Sequence, residues 1–523
     1  MGRGRRFGRR SFLAAAGGAA VAAALPIRPR LPGIGPVTSY AASPKPFKVR
    51  LPIPEVIKEA QIELAMEEAE VSILPGRPTK MWTYGGTFPG PTIRRPAGQQ
   101  TEVSFSHDLP DAGALTVHLH GGHSASQHDG QPGAPPGQPG DFYCEPSQDP
   151  ETVSAPLIAP GGERTYVYEG MEDGEPERAA FQWYHDHRCH RTAENVWKGL
   201  AGMWILDDDL DASLPLPRKR RDIPLMITDR SFNKRNQLTN PFKGNAHAPN
   251  DGVKGKLVLV NGAYLPYHEI SGRKARLRVL NASGFRSYNL ALSNGAPMTQ
   301  IATEGGLMPK PVERKRVLVG PGERVELVVD FGEFPHRDVE LVSVRRRDGV
   351  SDPGSKAFRG PLMQFRVGSR KPDDAEVPEL LRPLPDWAED AKSDFDGDED
   401  KRWDVSVDGF SWAINDEQYD PDYVEHSPEI DTTETWRIHN QSGTAHLIHL
   451  HHTDWYMLER NGGKPKRFER CLKETFFLDP FEEVVVAGHF SDHLGKFIVH
   501  CHMLDHEDHG LMSQFEVVPA SPR

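Results

Sequence analysis

Cysteine is scarce in this chain. Four residues in 523 are too few for a fold stapled by disulfides. Long apolar runs are scarce too: AAAGGAAVAAAL, ending at Leu25, is too short and too rich in Ala and Gly for a membrane span, so no stable membrane insertion is expected. Positive charge is in deficit, with 62 Lys and Arg against 74 Asp and Glu, a net charge of −12. That balance argues against nucleic acid or an anionic membrane as partner. The 12 methionines do not cluster, and hydrophobic residues make up 37%, enough for several cores at this length.

Glycine and proline are plentiful: 49 Gly and 46 Pro fit a turn-rich β class better than a helical one. At the N-terminus, Arg9-Arg10-Ser11-Phe12-Leu13 leads into the Ala-rich run, and small residues follow around Tyr40-Ala41-Ala42. A basic start, a short apolar stretch and small residues predict a signal peptide over 1–42. The paired arginines point to the twin-arginine export machinery as partner, with the mature protein exported to the periplasm, cell surface or medium.

The strongest signal lies near the C-terminus, in FIVHCHMLDHEDHGLM. In an extended strand alternate residues face the same way, so His500 and His502 point to one side and Cys501 to the other. A thiolate with two imidazoles suits a blue-copper centre. An electron arriving at Cys501 then has a short covalent path to metals held by its neighbours. Three more clusters contain H-x-H pairs: His118-Leu119-His120, His185-Asp186-His187, and His449-Leu450-His451 within HLIHLHH starting at His446. One pair alone is weak evidence, but four in one chain, one enclosing a cysteine, are hard to attribute to packing.

A threefold repeat emerges without using these motifs. The copies run from GGTFPGPTI to VHLHG, from VNGAYLPY to YNLAL, and from INDEQYDPDY to HLIHLHH. Each has a Pro-containing turn, an alternating strand, a polar turn and a second alternating strand, predicting stacked β-sandwiches. Where the first copy has His118 and His120 and the third His449 and His451, the second has Asn289 and Ala291. The middle copy is thus expected to be a metal-free spacer or substrate-shaping module, with the outer two meeting to pool ligands. Residues 373–412, including DFDGDEDKR, read as a charged, solvated linker.

The four clusters, with GGTFPGPTI, WYHDH, VNGAYLPY, RVLNAS and HCHMLDHED, resemble the multicopper oxidases over nearly all of the mature chain, notably the bacterial laccase, spore-coat laccase and bilirubin oxidase branches. The resemblance implies an all-β fold of three consecutive cupredoxin-like Greek-key β-sandwich domains, at 45–210, 211–372 and 373–523. It implies four copper ions: a type 1 ion on His446, Cys501 and His506; a type 2 ion on His118 and His449; and a type 3 pair on His120, His185, His187, His451, His500 and His502. It implies dioxygen and a small aromatic reductant as partners: a phenol, an aromatic amine or a bilirubin-like tetrapyrrole. A metallo-oxidase of cuprous, manganous or ferrous ions is the alternative, and a non-enzymatic cell-envelope protein a remoter one.

His506 is expected to receive electrons through an imidazole edge near the surface. Asp129 and Glu507 match acids near the trinuclear cluster, as proton relays or as carboxylates that orient ligand imidazoles. Asp186 and Asp508 are expected to be orienting or solvent-facing. Leu511 stands where the family often has an axial methionine, and if it is the axial neighbour the missing donor predicts a raised type 1 potential; the alternative is a one-residue shift that lets Met512 coordinate. Leu447 stands where many relatives have proline, a change expected to affect only local rigidity. Cys144 and Cys189 are candidates for one disulfide.

Overall fold

The computed structural model describes residues 45–109, 111–133, 157–242, 252–345, 358–408 and 411–522. The expected signal peptide and Cys144 lie outside them. Cys189 is disulfide-bonded, while Cys471 and Cys501 are free thiols.

Six of the sheets form three successive pairs along the chain. In the first, the five-stranded sheet ends with Ala180–Asp186 and, at its edge, Val117–His120; the four-stranded sheet is built on Gln61–Val71 and Thr101–His107. The second pairs a seven-stranded sheet containing Lys274–Asn281 and Arg324–Asp330 with a five-stranded sheet containing Tyr288–Leu292. The third pairs a six-stranded sheet containing Thr432–Asn440 and Glu483–Phe490 with a four-stranded sheet. The latter is ordered Thr475–Leu478, His446–Leu450, Gly495–Cys501, Met512–Val517. Each pair encloses an apolar core: Val103, Phe105 and Trp204 in the first; Leu277, Leu327 and Phe365 in the second; Trp403, Trp436 and Val486 in the third.

The charged stretch 373–412 is not a solvated linker throughout. Asp386–Asp394 is an α-helix whose Ala388 is fully buried, clustered with Leu384, Tyr456 and Leu472. Lys401–Asp408 is a strand paired parallel to Thr432–Asn440. Within KRWDVSVD, Trp403 and Val405 alternate with polar residues and enter the third core. The local charge density masked a period-2 pattern that tertiary pairing stabilises. Among the described residues no helix is long and apolar enough to cross a membrane.

Candidate metal centre

Strand alternation places the histidines. In Val117–His120, Val117 and Leu119 enter the first core, leaving His118 and His120 on the opposite face, yet all four residues are buried. The neighbouring strand sets His185 across from His118. In the third sandwich His449 lies across from His500, on one face, while Ile448 lies across from Cys501, on the other. Cys501 therefore faces the third core with Val499 and Phe497, and His500 faces outward toward the imidazoles of the first sandwich.

Five buried groups of possible ligands result: His446, Cys501 and His506; His120, His185 and His502; His187, His451 and His500; His118, His449 and His451; and, sharing imidazoles with these, His120, His449 and Glu474. All eleven residues expected as ligands fall in these groups. In the first, Cys501 Sγ is 3.6 Å from His446 Nδ1 and 3.7 Å from His506 Nδ1, and the two Nδ1 atoms are 3.2 Å apart. The centre of that triangle is about 2 Å from each corner, close to a metal–imidazole bond length.

The remaining nitrogens test the fit to metal. His118 Nε2, His120 Nδ1, His185 Nε2, His449 Nε2 and His451 Nε2 are buried without a hydrogen-bond partner, as are both ring nitrogens of His502. The opposite nitrogen of five of these rings is fixed. His118 Nδ1 meets Asp129 O at 2.5 Å, His451 Nδ1 meets Asp129 Oδ2 at 2.7 Å, and His185 Nδ1 meets Asp186 O at 2.8 Å. His449 Nδ1 meets Glu474 O at 3.0 Å and His120 Nε2 meets Glu474 Oε1 at 2.8 Å. Such bonds select the tautomer and aim the free nitrogen at an ion. Unsatisfied buried nitrogens are costly unless something binds them, and imidazole with thiolate suits copper.

Electrostatics agree. Burial drives the imidazole pKa of His446 down to about 3, and those of His120, His185, His449, His451 and His502 well below the usual value, where imidazole is the neutral, ligating form. Burial pushes the Cys501 thiol up to about 12, partly offset by hydrogen bonds from the main-chain N–H groups of Leu447 and Met503. Leu447 therefore does more than alter rigidity, since a proline there has no N–H to donate.

Asp129 and Glu507 are both buried at the ligands. Asp129 contacts His118 and His451, as above. Glu507 Oε2 is 3.1 Å from His500 Nδ1 and Oε1 is 3.7 Å from His187 Nδ1. Burial works to raise the Glu507 carboxyl, but His187 and His500 hold it below the usual range. Asp186 and Asp508 are structural rather than solvent-facing. Asp186 accepts from Asn195 Nδ2 at 2.7 Å, and Asp508 accepts from the N–H groups of Thr192 and Ala193 at the start of helix Thr192–Lys198.

The expected surface edge of His506 is absent. His506 is 0% exposed, with the rings of Trp412 at 4.6 Å and Phe285 at 5.2 Å between centroids. Leu511 packs with Cys501 in the third core, whereas Met512 lies across from His500 and packs with Ile498, Cys189 and Tyr419 on the other face. Sequence reading missed Glu474, Trp412 and Phe285, which carry no local motif. It also missed Arg324, buried in the middle sandwich and bonded to Glu474.

Comparison with known proteins follows the same lines. The multicopper oxidase family pattern matches residues 65–148 and 386–521. A laccase from Bacillus stratosphericus is 30% identical over 90% of this chain and 99% of its own. A bilirubin oxidase from Albifimbria verrucaria is 28% identical over 83% of this chain and 72% of its own. The crystal structure of a multi-copper oxidase from Pediococcus acidilactici superposes with a TM-score of 0.76 at 27% identity, covering 94% of this chain and 95% of that one.

Proposed function

Since this chain belongs to the multicopper oxidase family, we propose that it is an exported, laccase-type oxidase. In this reading it takes single electrons from phenols, aromatic amines or a bilirubin-like tetrapyrrole and reduces dioxygen to water. One tripeptide carries it: His500, Cys501 and His502 enter three different ligand groups, so a single stretch of backbone joins those three.

We assign one copper to His446, Cys501 and His506, one to His118 and His449, and a pair to the groups of His120, His185, His502 and of His187, His451, His500. Bound there, copper supplies one-electron redox chemistry and a place for dioxygen. The chain's own groups do the rest. Cys501 and its two neighbours provide the covalent route between groups. Asp129 and Glu507 hold imidazoles in register and are the carboxylates placed to pass protons toward the reacting oxygen. Trp412 and Phe285 cover His506, keeping bulk water from the electron-accepting centre.

Dioxygen uptake by the copper-loaded protein tests the reading, with a phenolic donor and, separately, with cuprous ion. Turnover of the phenol without added copper is expected. Uptake with cuprous ion alone would move the reading to a metallo-oxidase. No uptake with either, at full copper loading, would favour a non-enzymatic envelope protein.

A further inference from the structure

A cavity of ≈ 280 Å³ is walled by residues of the middle sandwich and of the third. That volume approaches the small end of ligand clefts, roughly 300–1,000 Å³. None of the eleven expected copper ligands is among the described residues that line it. One wall begins in the charge run Glu313-Arg314-Lys315-Arg316, which as sequence reads as solvated surface. Alternation divides it: Glu313 and Lys315 are exposed, whereas Arg314 and Arg316 are half-buried and line the cavity.

The Arg314 guanidinium lies over Phe468, 3.6 Å from the ring centroid, and its Nη1 donates to Gln300 Oε1 at 2.8 Å. These contacts fix its plane and leave the Nε–Nη2 edge without a hydrogen-bond partner among the described residues. That edge can grip a carboxylate with two parallel bonds. Arg316 donates to Arg345 O at 3.1 Å, and exposed Lys466 stands at the rim, 5.9 Å from the Phe468 centroid. Among the described residues none of these three cations is ion-paired with a carboxylate.

The cavity's own acids are already engaged. Glu304 and Glu323 share Lys473 Nζ, at 2.7 and 3.2 Å, while Glu469 and Glu482 share Arg460, at 2.9 and 2.7 Å. Asp479 is not free either. Burial lowers the Arg314 guanidinium to about 10, although Glu469 and Glu323 oppose this from beyond ion-pair distance. A desolvated cation without a close counter-ion is costly, and an anion brought to it offsets that cost. Val317, Val319, Phe468 and Phe477 supply apolar wall for the body of such an anion.

We propose that this cavity is a binding site for a small aromatic carboxylate. The carboxylate sits on the Nε–Nη2 edge of Arg314, with Arg316 and Lys466 beside it, and the ring lies among Phe468, Phe477 and Val319. The site is separate from the copper groups, so binding does not rest on the oxidase reading.

Titration calorimetry of the copper-loaded protein with benzoate tests the site. One benzoate per chain is expected, and the uncharged isostere benzamide should bind at least about tenfold more weakly, since a charge-assisted pair is lost. Arg314→Gln should weaken benzoate binding by about tenfold or more. Arg314→Lys keeps a cation in place but loses the fork, so it should melt close to the parent and bind benzoate about fivefold more weakly. Absence of saturable benzoate binding in the parent would overturn the site, as would benzamide binding equally well. Unchanged affinity in a folded Arg314 variant would place the benzoate elsewhere and overturn the assignment. Acetate binding as tightly as benzoate would overturn the aromatic class.

Discussion

At the group of His446, Cys501 and His506, proposed as the type 1 centre, the axial neighbour decides how readily a bound copper would accept an electron. Leu511 shares the core face of Cys501, and Met512 shares the opposite face with Ile498, so strand alternation takes the methionine sulfur away from the site. Leucine offers no donor, which disfavours the oxidised ion. Leu511→Met should lower the potential by about 60 mV or more, a tenfold change in a one-electron equilibrium. Redox titration of the blue absorbance reads this directly, and an unchanged potential would mean that the sulfur does not reach the metal. Asp129 permits a similarly local test, because one carboxylate serves two imidazoles. Asp129→Ala should cost about 10- to 100-fold in copper affinity or activity, as loss of a ligand-orienting partner does. Asp129→Asn keeps an acceptor for His451. If Asp129 also moves protons, that variant should retain copper yet lose about 100-fold or more in dioxygen uptake. Full uptake would leave Asp129 an orienting role alone.

At the level of strands and loops, legibility followed the range of the interaction. The H-x-H strands were readable because their period of two is local: Val117 and Leu119 declare one face, and His118 and His120 the other. The strand Lys401–Asp408 was not, since its three apolar residues are set among five charged or polar ones and its pairing partner, Thr432–Asn440, lies some way along the chain. The cap on helix Thr192–Lys198 was illegible for the same reason, as its carboxylate comes from Asp508. His123 and Asp492 form a comparable long-range clamp, with Nε2 3.2 Å from Oδ2. Burial works against protonation of His123, but Asp492, Glu172 and Glu177 outweigh it and raise the imidazole to about 9. The unfolded chain releases that proton near pH 6.5. The clamp's stabilisation is therefore complete below about pH 6.5 and is lost as pH rises toward 9. Asp492→Asn should destabilise by about 1.5–3 kcal/mol at pH 6 and much less at pH 9.5. Thermal melts at the two pH values check the sign, and an equal loss at both would contradict it.

Across the whole molecule, the middle sandwich is more than a spacer, and one guanidinium shows why. Arg324 is 1% exposed and belongs to the strand Arg324–Asp330. Its Nε donates to Phe181 O of the first sandwich at 2.7 Å, and one terminal nitrogen donates to Glu474 Oε2 of the third at 3.0 Å. The other donates to Gly322 O at 3.2 Å and pairs with Glu474 Oε1. That same Oε1 meets His120 Nε2, so the pair fixes which nitrogen His120 turns toward the metal. The backbone follows suit: Gly322 has φ +81, and a β-carbon there would sit 2.7 Å from the His502 ring. Nothing in GERVELVVD announces any of this, because the partners come from two other sandwiches. Arg324→Met should leave Glu474 buried without its cation and cost about 3–5 kcal/mol. Copper should be lost first from the group of His120, His185 and His502. The blue type 1 absorbance should persist, because Cys501 faces the third sandwich's own core. Adding Glu474→Gln removes the stranded charge, so the double variant should melt higher than Arg324→Met alone even though it lacks both partners. Melting temperature, copper per chain and the blue band separate these outcomes. A double variant no more stable than the single would show that the cost lies in lost packing rather than in an uncompensated charge.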